Sequence, residues 1–146
     1  MHSAAVAREE AASHFAMGNA LLAQGRMAEA ISHYERTLAL DPDQPATHNT
    51  VGLALASLDR IEEAISHYER ALVLHPDHVQ ANSNLGVLRT RQGRHADAVG
   101  HYQRVLAIQP EHADVHNNLA ALLVQQVVLV VEVVELVQQV MELMVL

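Results

Sequence analysis

An all-α solenoid of stacked helical hairpins is the fold class this sequence predicts, and three observations predict it. The heptapeptide AISHYER occurs at Ala30 to Arg36 and again at Ala64 to Arg70. A relative, AVGHYQR, follows at Ala98 to Arg104, each copy starting 34 residues after the last. Residues 11–44 laid on residues 45–78 agree at 18 of 34 positions, more than a shared amphipathic pattern requires, so one small unit has been repeated. Within each unit, two apolar periodicities of helical type flank a breaker, Gly25, Asp59 or Gly93.

Taken in order, residues 1–10 read as a helical lead-in. Residues 11–44, 45–78 and 79–112 read as three full hairpins, and 113–146 as a partial fourth that continues as a long valine-rich C-terminal helix. The units end in Asp41-Pro42-Asp43, His75-Pro76-Asp77 and Gln109-Pro110-Glu111, where proline stops the second helix. The acidic residue beside each proline suits the start of the next helix. Gly18, Gly52 and Gly86 recur in the middle of the first helix, where glycine costs about 1 kcal/mol relative to alanine. A cost repeated in one register implies close helix contact there. Ala30, Ala64 and Ala98 fit the same explanation, and Tyr34, Tyr68 and Tyr102 are expected to fill the space between hairpins.

The fourth unit starts in phase with ADVHNNLAALLVQQ and then loses the pattern: Val127 stands where the turn glycine belongs, and the remainder is dominated by valine. At 100° per residue, Glu132, Glu135, Gln138, Gln139 and Glu142 fall within about a 120° arc, leaving roughly 240° of the circumference apolar. One long helix from about Asp114 to the C-terminus is expected. A strand is the competing outcome, because valine is a mediocre helix former. A membrane span is disfavoured, since three glutamates would each cost about 2.5 kcal/mol or more near the bilayer centre.

Composition narrows the function classes. One Phe, three Tyr and no Trp among 146 residues leave the core to small aliphatic side chains, and the absence of Cys removes disulfides and thiol chemistry. A formal charge of -8 argues against nucleic acid as a partner. Eleven histidines make that charge sensitive to mild acid. No basic segment followed by an apolar run opens the chain, so a cytoplasmic location is the expectation.

The repeated Gly, Ala, Tyr and Pro resemble the tetratricopeptide repeat (TPR), a 34-residue helical hairpin. The likeness covers residues 11 to 112, and all four positions agree in all three copies. The chain departs from that pattern at His14, His48 and Asn82, which replace a large residue of the first helix, and at Leu21, Leu55 and Arg89, which replace an aromatic one. The resemblance implies a right-handed superhelix whose first helices line a concave, peptide-binding surface. Carried over position by position, the implied partner-binding residues are Phe15, Asn19 and Leu22 in the first repeat and Asn49 and Leu53 in the second. Ser83, Asn84, Val87 and Arg91 follow in the third, and Asn117 and Asn118 in the partial fourth.

Two modes of that family can be compared with this wall. Members that clamp a C-terminal carboxylate use several lysines and arginines, whereas Arg91 stands alone here. Protein glycosyltransferases that attach N-acetylglucosamine carry long TPR arrays with a row of asparagines. Asn84 and Asn118 match that row, while Ala16 and Thr50 break it. The resemblance therefore implies a non-catalytic interaction scaffold, with the recruitment region of a larger enzyme, such as such a glycosyltransferase, as the alternative.

Val130, Val133, Val137, Val140 and Met144 centre the apolar arc of the tail. A helix apolar over about two thirds of its circumference cannot be covered by one preceding hairpin, so self-association, most simply a homodimer, is expected.

No enzyme chemistry is expected of the chain. His33, His67 and His101 share one register and His14, His48 and His116 another, but like positions lie about 10 Å apart in stacked hairpins. Two ligands of one zinc must lie within roughly 3 to 4 Å of each other, so no metal and no cofactor is expected. The carboxylates read as solvated helix surface. Glu35 with Arg36 and Glu69 with Arg70 read as weak exposed pairs.

Overall fold

The computed structural model describes residues 3–146. The first two residues of the expected lead-in lie outside the described residues. Seven helices follow one another: α1 (Ala4–Ala23), α2 (Met27–Leu40), α3 (Pro45–Ser57), α4 (Ile61–Leu74), α5 (Val79–Arg91), α6 (His95–Ile108) and α7 (Ala113–Val145). No strand occurs among the described residues. Helices pair as α1–α2, α3–α4 and α5–α6, and the hairpins stack through α2 on α3, α4 on α5 and α6 on α7. α3 touches α5, and α5 touches α7, so these three helices form one wall.

The breakers act through backbone conformation. Gly25, Asp59 and Gly93 have φ of 75°, 60° and 73°, the left-handed region that turns the chain between paired helices. α2, α4 and α6 each end two residues before a proline. The glycines permit the pairing itself. A Cβ on Gly18, Gly52 or Gly86 would lie 2.5, 2.6 or 2.5 Å from Cε1 of Tyr34, Tyr68 or Tyr102. Each tyrosine thus lies over the glycine of its paired helix, and Tyr102 also meets Asn118 of the next repeat. Ala30, Ala64 and Ala98 are fully buried beside them. Around these contacts a continuous core runs from α2 to α5 through Ile31, Val51, Leu55, Ile65, Leu85 and Leu88, and a second cluster joins α6 to α7 through Val105, Val115 and Leu122.

Two sequence readings need correction. No acidic side chain caps the helices that follow the prolines: α5 and α7 are capped by His78 and His112, whose side chains accept from the amides of Ala81 and Val115 at 3.1 and 3.3 Å. A neutral imidazole Nδ1 offers the same lone pair as a carboxylate at this position. The acids beside two of the prolines bond sideways instead, Asp43 to Arg70 and Asp77 to Arg104, each at 3.5 Å. Glu69 is not confined to its own helix either: it meets Arg89 of α5 at 2.5 Å and links two repeats.

α7 runs on as one helix for 33 residues and never folds back. The sequence supplies two reasons. Val127 occupies the register of Gly93, and a β-branched residue is strained at positive φ. Glu132 occupies the register of fully buried Ala98, so a returning helix would seal a carboxylate in the hairpin core. Only Val115 and Leu122 of this helix are buried.

Candidate functional site

The wall of first helices carries a depression of about 400 Å³ lined by α3 (Asn49, Leu53), α5 (Gln80, Ser83, Asn84, Val87) and the start of α7 with its cap (His112, Asp114, Val115, Asn118). The periodicity explains why these side chains converge. Residues that follow buried Val51, Gly52, Leu85 and Gly86 in the helical period turn to the opposite face, leaving Leu53 and Val87 49% and 40% exposed. A second hollow continues the surface along Val87, Thr90, Arg91, Asn118, Ala121 and Gln125.

Amides form the floor. Asn84 Nδ2 donates to Asn49 Oδ1 at 3.1 Å, and Asn49 Nδ2 donates to Gln80 Oε1 at 3.4 Å, which leaves Asn49 buried and holds α3 to α5. Asn84 and exposed Asn118 line the depression, and their side-chain amides can accept and donate. Asn118 also meets the Tyr102 phenol, whose pKa is raised mainly by burial. Charge is sparse: Arg91 sits 3.5 Å from Asp59, and Asp114 lies at the far end. His78 and the paired His48 and His67 have pKa values lowered first of all by burial, so they enter the neutral range as uncharged rings.

Of the residues implied by the family resemblance, Asn49, Leu53, Ser83, Asn84, Val87 and Asn118 are brought together here, and Arg91 joins them along the second hollow. Phe15 and Leu22 pack against the core instead, Phe15 with its ring centroid 5.7 Å from that of Tyr34. Asn19 accepts from the Tyr34 hydroxyl at 2.7 Å. Asn117 is exposed outside the depression. His112 and Val115 were missed; their signal was the helix start after Pro110, where the residue before the first turn faces the neighbouring wall. Val130, Val133, Val137, Val140 and Met144 are all exposed, the least open being Val140 at 47%.

Family models for the tetratricopeptide repeat match residues 51–113 and 91–127, and a second TPR-repeat model matches residues 18–59. The chain belongs to the tetratricopeptide repeat family. Among solved structures, the first TPR domain of Spaghetti (RPAP3) bound to the HSP90 peptide SRMEEVD is similar with a TM-score of 0.78 and 25% identity, covering 82% of this chain and 95% of that one. The first TPR domain of human RPAP3 is similar with a TM-score of 0.73 and 26% identity, covering 79% and 91%. MamA shares the fold with a TM-score of 0.76 at 20% identity, covering 80% and 68%. No curated protein matches the chain in sequence. The TPR array is a protein-interaction fold, and the peptide bound by the Spaghetti domain fits that class.

Proposed function

We propose that the chain is a non-catalytic scaffold that holds a peptide or extended partner segment in the groove of α3, α5 and α7. One observation carries the reading: Leu53 and Val87 offer an apolar seat, and Asn84 and Asn118 stand beside it with donors and acceptors suited to a peptide backbone. The sparse charge favours an uncharged segment over the acidic peptide SRMEEVD seen with Spaghetti. Replacing Leu53 and Val87 with glutamate, both exposed and outside the core, tests it. The variants should fold as the parent does and lose the partners that the parent captures. Unchanged capture by a folded double variant would remove the basis of the proposal.

We also infer that α7 associates with a second copy. Val130, Val133, Val137, Val140 and Met144 follow one another at intervals of three and four residues, the spacing of a coiled-coil seam. Burying about 800 Å² of apolar surface would contribute roughly 20 kcal/mol before association costs. By length and composition α7 is also apolar enough to cross a membrane. Against that reading, its polar stripe carries three glutamates and the helix has no lysine or arginine to meet anionic lipid. Light scattering at tens of micromolar should give a dimer or larger; a stable monomer contradicts the inference, and flotation with liposomes would replace it with a membrane anchor.

A further inference from the structure

Each hairpin is tied across its two helices by a polar pair, which in the second and third repeats also reaches the linker from the repeat before. In the second repeat His48 Nε2 lies 2.9 Å from the Pro42 carbonyl oxygen, and His48 Nδ1 lies 3.1 Å from Nδ1 of His67 on α4. The third repeat builds the same relay with an amide: Asn82 Nδ2 donates to the Pro76 carbonyl at 3.0 Å, and Asn82 Oδ1 faces His101 Nδ1 at 3.1 Å. In the first repeat His14 and His33 meet, again through Nδ1 atoms 3.1 Å apart. The ring pairs nearly superpose, with centroids 5.3 Å apart and interplanar angles of 31° and 34°. His116 reaches the Pro110 carbonyl but has no second helix to bind, because α7 does not return.

Proton positions follow from the acceptors. A carbonyl only accepts, so His48 carries its proton on Nε2 and presents the bare lone pair of Nδ1 to His67. His67 therefore donates its Nδ1–H to His48, and one proton occupies the gap. A first added proton fits on the outer nitrogen of His67 and leaves this bond intact. A second must enter at His48 Nδ1, where it meets the His67 N–H head on and sets two charges side by side. Asn82 cannot take up a proton, so the charged His101 keeps its bond to the Asn82 carbonyl oxygen.

We infer that the His48–His67 pair is an acid-sensitive joint that admits one proton and is parted by the second, whereas the Asn82–His101 joint keeps its hydrogen bond when His101 is charged. Around the His48–His67 pair, Asp43 and Glu63 favour protonation, and Arg70 opposes it. Asp43 and Glu63 are themselves engaged by Arg70 and Arg60. Burial opposes the charge on both rings more than any of these. Because Asn49 follows His48 in the chain and forms the groove floor, parting the pair would also displace that floor; this consequence rests on the groove reading, whereas the joint does not.

The test is an imidazole titration of the full chain by nuclear magnetic resonance, with hydrogen exchange followed in α3 and α4. His48 and His67 should titrate in two separate steps. Through the second step, protection of α3 and α4 should fall about tenfold per pH unit, the slope of one linked proton. His48→Asn, which copies the third repeat, should fold and keep its protection over that range, and Asn82→His should confer the same acid loss on α5 and α6. Protection that persists in the parent with both rings charged would overturn the inference. So would His48→Asn losing protection at the same pH as the parent.

Discussion

The same substitution should have opposite effects at two glycines. Gly52→Ala places a methyl group 2.6 Å from Cε1, 2.8 Å from Cδ1 and 3.0 Å from Cζ of Tyr68. Ordinary carbon contacts need about 3.5 Å or more, so the ring must retreat by nearly 1 Å. Tyr68 is only 1% exposed and has nowhere to go. Overpacking of this kind costs about 3 kcal/mol, at the upper end of the usual range. Gly100→Ala, in the exposed middle of α6, meets nothing within 4 Å. Both variants gain the same helix propensity, about 1 kcal/mol. Gly100→Ala should therefore be more stable than the parent by about 1 kcal/mol and Gly52→Ala less stable by about 2 kcal/mol, and their difference of about 3 kcal/mol isolates the collision. Urea unfolding followed by circular dichroism measures both, at one chain concentration because association through α7 would shift the midpoints. A Gly52→Ala protein as stable as Gly100→Ala would refute the argument that the glycines exist to admit the tyrosines.

Asp59 holds φ at 60°, where glycine is unstrained. Asp59→Gly should raise stability by about 0.5–1 kcal/mol, since the lost pair with Arg91 is long and exposed and contributes little; an unchanged or lower urea midpoint would count against it. Folded-state pKa values of His48, His67, His78 and His101 lie below the ordinary 6.5, so the unfolded chain binds more protons beneath that value. Thermal stability should hold above about pH 6.5 and fall as the medium is acidified below it; a midpoint independent of pH from neutrality to mild acid would contradict this. Removing residues 127–146 should give a monomer by sedimentation, with the helical signal of α1 to α6 preserved.

How much could be read from sequence differs by the kind of contact. Gly52 and Ala64 announced their close approach because each carries a local cost that repeats at 34 residues. The long α7 was legible from Val127 and the valine run. The histidine pairs were not, because a periodic argument compares like registers, whereas His48 meets His67, 19 residues on and in another register. The capping role of His78 was hidden for a related reason: the acid beside Pro76 seemed the obvious helix starter, yet Asp77 turns to Arg104. Groove positions came from the family resemblance, which placed Leu53 and Val87 on the open wall. It could not foresee that Asn49 spends its amide on Gln80 and Asn84, since those partners belong to the next repeat.

The claim that organises the molecule is that the wall of α3, α5 and α7 holds extended polypeptide. Selection from a displayed library of random peptides, run in parallel on the parent and on the folded Leu53→Glu, Val87→Glu variant, addresses it most directly. The account predicts peptides enriched on the parent, low in acidic residues, that the variant does not retain. Peptides retained equally by both proteins would place the binding surface elsewhere and contradict it.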